Sequence, residues 1–144
     1  MEKMGALLRA PSVAVGIDLV RVSRIAASVR HFGNRFLRRV FTDSELECAT
    51  SSKAETHRRL AARFAAKEAT IKVLSPQDHG LGWRSIEVRQ APSGACELVL
   101  HGAARRLALR RGIVALALSL SHEDGYAAAV VVGERARRRR PRKG

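Results

Sequence analysis

Apolar residues are spaced in two distinct periods along this chain, and the change of period divides it. The first run, Val13-Ala14-Val15-Gly16-Ile17-Asp18-Leu19-Val20, is apolar almost throughout and reads as a buried strand broken by one aspartate. From about Arg21 to His31 the period becomes helical, with Val22, Ile25, Ala26 and Val29 on one face and Arg21, Arg24, Ser28 and His31 on another. Gly33 is a natural stop. A second helix is expected from Thr42, where Thr42-Asp43-Ser44-Glu45 has the form of a capping box, which makes Glu45 a cap partner and not a catalytic acid. A third is expected from about Glu55 to Leu74, ended by Ser75-Pro76.

The second half alternates with period two. Ser85 to Gln90 and Ala95 to His101 form an expected hairpin around Ala91-Pro92-Ser93-Gly94, and Gly102 to Arg111 suits a helix stopped by Gly112. Ile113 to Ser121 and Tyr126 to Gly133 then read as strands joined by a turn at Glu123-Asp124-Gly125. The result is one α+β domain, with an antiparallel sheet packed on a long helix and no repeat or linker to divide it.

That long helix carries charges where its apolar stripe should be. Leu60, Phe64, Ile71 and Leu74 fall within an arc of about 80° at 100° per residue, with Lys67 projecting into its middle, Glu68 on its edge and Lys72 one turn further on. An exposed Glu68–Lys72 pair and a snorkelling Lys67 would be the bland account, contributing about 0.2–0.5 kcal/mol. Asp18 weighs against it, because aspartate is disfavoured in strands and Leu19-Val20 continue the apolar run beyond it. As a strand terminator Asp18 would need no partner; set at the end of the sheet and facing a cleft, it joins Glu68 in a second arrangement. Two carboxylates on separate buried elements, flanked by lysines, suit a hard divalent cation such as Mg²⁺ with an anionic ligand, whose phosphate Lys72 would meet.

These residues resemble a known family. Val15-Gly16-Ile17-Asp18 followed by Phe64-Ala65-Ala66-Lys67-Glu68-Ala69-x-x-Lys72 is similar to the motif pair of the 4′-phosphopantetheinyl transferases, and within them to the short, trimeric class of the holo-acyl-carrier-protein synthases. Arg24, Phe41-Thr42-x-x-Glu45, Leu60-Ala61-Ala62-Arg63, Trp83-x-x-Ile86-Glu87-Val88, Ser119-Leu120-Ser121-His122 and Tyr126-Ala127-Ala128-Ala129-Val130 extend the likeness from about Val13 to Val132. The resemblance implies the α+β phosphopantetheinyl transferase fold and transfer of 4′-phosphopantetheine from coenzyme A to a serine of an acidic acyl carrier protein, releasing adenosine 3′,5′-bisphosphate. It implies Mg²⁺ held by Asp18 and Glu68, with Lys72 on the leaving phosphate and Glu68, or water held by the metal, taking the serine proton. Lys67 would reach the same phosphates or order the site, Arg63 would meet a coenzyme phosphate or brace the site, and His122 would lie near a coenzyme phosphate. Arg21, Arg24 and His31 would dock the carrier, and a homotrimer would place each site between neighbouring subunits. The chain departs from the family after Lys72, where Val73-Leu74-Ser75-Pro76-Gln77-Asp78-His79-Gly80 replaces a Gly-rich turn, and at Val20, where the larger relatives carry a second acid.

Composition refines this picture. The 144 residues suffice for one domain with its own core, taken as residues 13–133 between a flexible extension (1–12) and a basic tail (134–144). Residues 135–144 hold seven lysines and arginines, half of the formal +14 charge, and the tail is expected to be disordered. The folded part has a second basic concentration, since no acid lies between Asp18 and Asp43 while Arg21, Arg24, Arg30, Arg35, Arg38 and Arg39 do. Such a field suits an acidic protein partner. A small basic nucleic-acid-binding protein is the alternative, supported by the pI of about 11.5 but opposed by an aromatic content of 4%, too low for stacking platforms. A catalytically idle scaffold that binds carriers is a third reading. Two cysteines, Cys48 and Cys96, read as free thiols of a reducing cytosol, and the Ala6-Leu7-Leu8 run is far too short for a signal or a membrane span.

Overall fold

A computed structural model of the chain describes residues 11–75 and 80–137, so the expectations for the N-terminal extension, for the turn after Leu74 and for most of the basic tail fall largely outside the described residues. Strand β1 (Val13–Arg21) leads into helices α1 (Val22–Phe32), α2 (Asn34–Val40), α3 (Asp43–Thr50) and the long α4 (Thr56–Leu74). The hairpin β2 (Ile86–Gln90) and β3 (Cys96–Leu100), helix α5 (Gly102–Arg110), β4 (Ile113–Glu123) and β5 (Tyr126–Arg135) follow. The main sheet is antiparallel in the order β1-β5-β4, and β2-β3 form a separate two-stranded sheet.

Local chemistry explains most boundaries. Gly33 ends α1 with φ 55°, a value that costs glycine nothing. Thr42 and Glu45 close the capping box reciprocally, the Thr42 hydroxyl accepting from Glu45 N at 3.3 Å and the Glu45 carboxylate from Thr42 N at 2.9 Å. Asp124 and Gly125, both at positive φ, make the tight turn between β4 and β5. Two differences stand against the sequence pattern. Helix α2 is an additional element, its Phe36, Leu37 and Val40 packed on the core, and β5 runs on to Arg135, two residues into the segment assigned to the tail.

Helix α4 lies across the inner face of the main sheet and is the centre of the core, burying Leu60, Ala61, Ala65, Ala66, Ala69, Val73 and Leu74. Its alanines allow close approach to a sheet surface that is itself small. On that surface Ala14 pairs with Gly133, Gly16 with Val131, Asp18 with Ala129, and Val20 with Ala127. A Cβ on Gly133 would come within 2.7 Å of the Val73 side chain. The opposite face of β1 corrects the buried-strand reading: Val15, Ile17 and Leu19 are 61%, 62% and 64% exposed in the single chain.

Candidate active site

The close packing of α4 on β1 sets up the site. Gly16 sits directly beneath Ala69 and beside the Lys72 Cβ, so the backbones of helix and strand nearly touch there. Two residues further along the same face of β1 is Asp18, its side chain 19% exposed. Lys72 reaches back over this junction, its ammonium donating to the Ile17 carbonyl at 2.6 Å and to Asp18 Oδ1 at 3.4 Å, while half of its side chain remains in solvent. Glu68 is half-buried one turn before Lys72 on α4. Asp18 and Lys72 are therefore brought together across the strand–helix junction, with Glu68 on the adjoining turn.

The donor set fits Mg²⁺, which typically binds through one or two carboxylates plus substrate phosphates and water. Among the described residues no cluster of three or more His, Cys, Asp and Glu suggests a closed metal cage. The half-exposed ammonium of Lys72 is free to turn toward an anionic ligand.

The other expected site residues separate into four places. Of the two roles expected of Lys67, the phosphate contact is corrected and the ordering of the site is left: the side chain turns into the core. Its ammonium, fully buried, lies 2.7 Å from Glu45 Oε1, donates to the Trp83 carbonyl at 3.1 Å and to the Ile86 carbonyl, and sits 5.8 Å from the Phe41 ring centroid. Burial pushes the Lys67 pKa below its usual 10.5, and the Glu45 charge and hydrogen bond oppose that shift. Glu45 is more than the cap its sequence pattern shows: it is also the buried counterion of Lys67, and its second oxygen accepts from Val88 N at 3.1 Å. The one available signal was the coincidence of a lysine inside an apolar stripe with an acid at a buried N3 position.

Arg63 is 5% exposed and turned to α3, donating to Cys48 Sγ at 3.0 Å and to the Arg59 carbonyl at 3.2 Å, while its Nε has no hydrogen-bond partner among the described residues. His122 is exposed near the end of β4, on the same sheet face as Asp18 and two strand pairs away, opposite Ala127. Arg21, Arg24 and His31 are all exposed along the β1–α1 junction and α1, Arg21 with its guanidinium 5.6 Å from the Tyr126 ring centroid. Glu87, unremarked in the sequence beyond its motif, is nearly buried and ringed by Ser44, Arg89 and His101.

Comparison with known proteins identifies the family. Residues 14–131 match the model of the 4′-phosphopantetheinyl transferase superfamily. The holo-[acyl-carrier-protein] synthase of Desulforudis audaxviator is 41% identical over 120 residues, covering 83% of this chain and 91% of that protein. The corresponding enzyme of Koribacter versatilis is 42% identical over 123 residues, 85% of this chain and 98% of that protein. Among solved structures, a Chronobacterium ammoniagenes ACPS–CoA complex superposes with a TM-score of 0.75 at 33% identity, covering 88% of this chain and 100% of that one. The Neisseria meningitidis holo-[acyl-carrier-protein] synthase gives 0.77 at 31% identity, over 85% and 98%. The chain belongs to the 4′-phosphopantetheinyl transferase superfamily. Within it the chain is an enzyme of the holo-acyl-carrier-protein synthase class, which displaces the nucleic-acid and idle-scaffold readings.

Proposed function

We propose that the chain moves the 4′-phosphopantetheine arm of coenzyme A onto a serine of an acidic acyl carrier protein in a Mg²⁺-dependent reaction that releases adenosine 3′,5′-bisphosphate. The observation that carries this reading is the convergence of Asp18 and Lys72 at the Gly16–Ala69 junction, with Glu68 one turn away. The serine oxygen forms a bond to the β-phosphorus of the coenzyme pyrophosphate, the bond from that phosphorus to the bridging oxygen breaks, and the serine proton passes to Glu68 or to water. Because the nucleophile is a neutral alcohol and the leaving group a phosphate, positioning and charge stabilisation supply most of the catalysis.

Asp18 and Glu68 would hold Mg²⁺, which when bound supplies Lewis-acid charge against the pyrophosphate oxygens. Lys72, already loosely tethered to Asp18, keeps half of its side chain in solvent and can turn its ammonium to the leaving phosphate. Arg63, buried and bonded to Cys48 of α3, would brace the site from within α4, and His122 would meet a coenzyme phosphate from the end of β4. Arg21, Arg24 and His31 form an exposed basic edge for the carrier. The apolar outer face of β1 supports a homotrimer, since a contiguous patch of this kind on a small chain is an interaction surface. A cytoplasmic enzyme is consistent with the free thiols of Cys48 and Cys96 and with the described helices, none of which is long and apolar enough to cross a membrane.

Incubation with coenzyme A, Mg²⁺ and an apo carrier protein, followed by mass spectrometry, tests the proposal. One phosphopantetheine group should be added to the carrier by the native chain and by neither Asp18→Ala nor Glu68→Ala; full activity in both variants would sink the metal assignment.

A further inference from the structure

The Glu45–Lys67 pair is too fully built to be incidental. Both side chains are 0% exposed, and the three ammonium protons of Lys67 have three acceptors: Glu45 and the carbonyls of Trp83 and Ile86. The Glu45 carboxylate accepts in turn from Thr42 N at the start of α3 and from Val88 N in β2. The network therefore ties α4 to the capped end of α3, to the turn before β2, and to β2 itself. A buried ion pair is seldom the most stabilising way to fill a core, because desolvation offsets most of the attraction. Its value lies in direction: every partner has a defined geometry, so Lys67 fits in one orientation, which a leucine would not enforce.

Lys67 immediately precedes Glu68, and the two side chains leave α4 about 100° apart. Holding Lys67 against Glu45 on one side of the helix thus fixes the roll of α4 about its own axis, and with it the direction of Glu68 and Lys72 toward β1. Side-chain ends lie about 6 Å from a helix axis, so a roll of about 10° would carry them about 1 Å. The Gly16–Ala69 contact cannot set this roll alone, because it limits how near the helix comes to the strand at one point. We infer that Glu45 and Lys67 are positioning residues for transfer, a buried peg that sets the rotation of α4 so that Glu68 and Lys72 face Asp18. The inference rests on the function proposed above.

Two variants separate positioning from plain stability. Glu45→Gln keeps the shape and an oxygen acceptor but removes the charge; the double variant Glu45→Leu, Lys67→Met replaces the pair with apolar groups of similar size, a change that buried pairs often tolerate in stability. Each is measured for kcat and KM per folded molecule and, independently of turnover, for binding of Mn²⁺ as a spectroscopic stand-in for Mg²⁺. The double variant should retain a cooperative melt while kcat falls about 10- to 100-fold, as a displacement near 1 Å predicts, and Mn²⁺ binds several-fold more weakly. The KM for the carrier should hardly move, because the basic edge of α1 is untouched. Glu45→Gln should show the same pattern more mildly, and its loss of kcat supports the inference even if the double variant does not fold. Native kcat and Mn²⁺ affinity in either folded variant overturn it. A native chain that neither transfers the group nor binds Mn²⁺ instead defeats the functional reading beneath it.

Discussion

A Cβ placed on Gly16 would lie 2.0 Å from the carbonyl oxygen of Ala69, far inside any real contact. This closeness is what lets Lys72 reach the Ile17 carbonyl and Asp18 from the next turn of α4. Because the obstacle is backbone, no side chain can rotate away to relieve it, and Gly16→Ala must push the helix off the strand. Overpacking of this kind costs about 3 kcal/mol, which for a domain of this size corresponds to a Tm lower by about 10 °C. A thermal melt by circular dichroism measures the first effect. Transfer activity should fall more steeply than stability, since the displaced helix carries both Glu68 and Lys72.

Lys72→Ala separates catalysis from stability at the same junction. The Lys72–Asp18 pair is half in solvent at 3.4 Å, a kind of contact that contributes about 0–1 kcal/mol, so the variant should melt within a few degrees of the native chain. If the ammonium neutralises charge that develops on the leaving phosphate, kcat should drop by about 10²–10³ with a much smaller change in carrier KM. Steady-state kinetics with varied carrier and coenzyme A decide the point: an effect confined to KM would remove Lys72 from the transition state.

Much of this site is visible in the sequence because its signals are local. The capping box at Thr42–Glu45 and the stop at Gly33 depend on residues within a few positions of one another, and they appear where the pattern places them. The fate of Lys67 does not follow from local pattern, because its counterion comes from 22 positions earlier on another helix and two of its acceptors are backbone carbonyls. Helix α2 was hidden for a related reason: seven residues hold too few turns to establish a period, and Phe36, Leu37 and Val40 count as a helix face only once the core they pack on is known. The apolar run of β1 announces burial on both faces but not by what; α4 covers one face, and in the single chain the other stays open.

Glu87 predicts the acid limb of stability. Burial alone would raise its pKa, but hydrogen bonds from Thr42, Arg89, His101 and Ser44 outweigh it and hold the carboxyl at about 2 instead of the ordinary 4.5. A folded pKa below the unfolded one means that the stabilisation is complete above about pH 5 and is lost as the pH falls from there toward 2. Urea midpoints measured at several pH values in this window should decline for the native chain and decline less for Glu87→Gln, while at pH 7 the variant should be the less stable of the two. Parallel slopes for the two proteins would remove Glu87 from the account.

If the proposed homotrimer forms through the outer face of β1, assembly and activity are tied. Val15, Ile17 and Leu19 point away from α4, and across the sheet Ile17 pairs with Val130 and Leu19 with Ala128, so the exposed apolar surface continues onto β5. Asp18 lies between Ile17 and Leu19 on the opposite face of the same strand, and a subunit bound to this surface would approach within one strand's thickness of the site. Burying three such side chains contributes about 1.5–3 kcal/mol each, enough for their loss to dissociate an assembly of small chains. Ile17→Lys with Leu19→Glu should therefore convert a trimer into monomers by light scattering without unfolding them, because neither residue touches the core. If each site is completed by a neighbour, the monomers should lose most transfer activity and regain none on addition of Mg²⁺. Monomers as active as the native assembly would place the whole site within one chain, and a native protein that is already monomeric would leave the apolar face to a different partner.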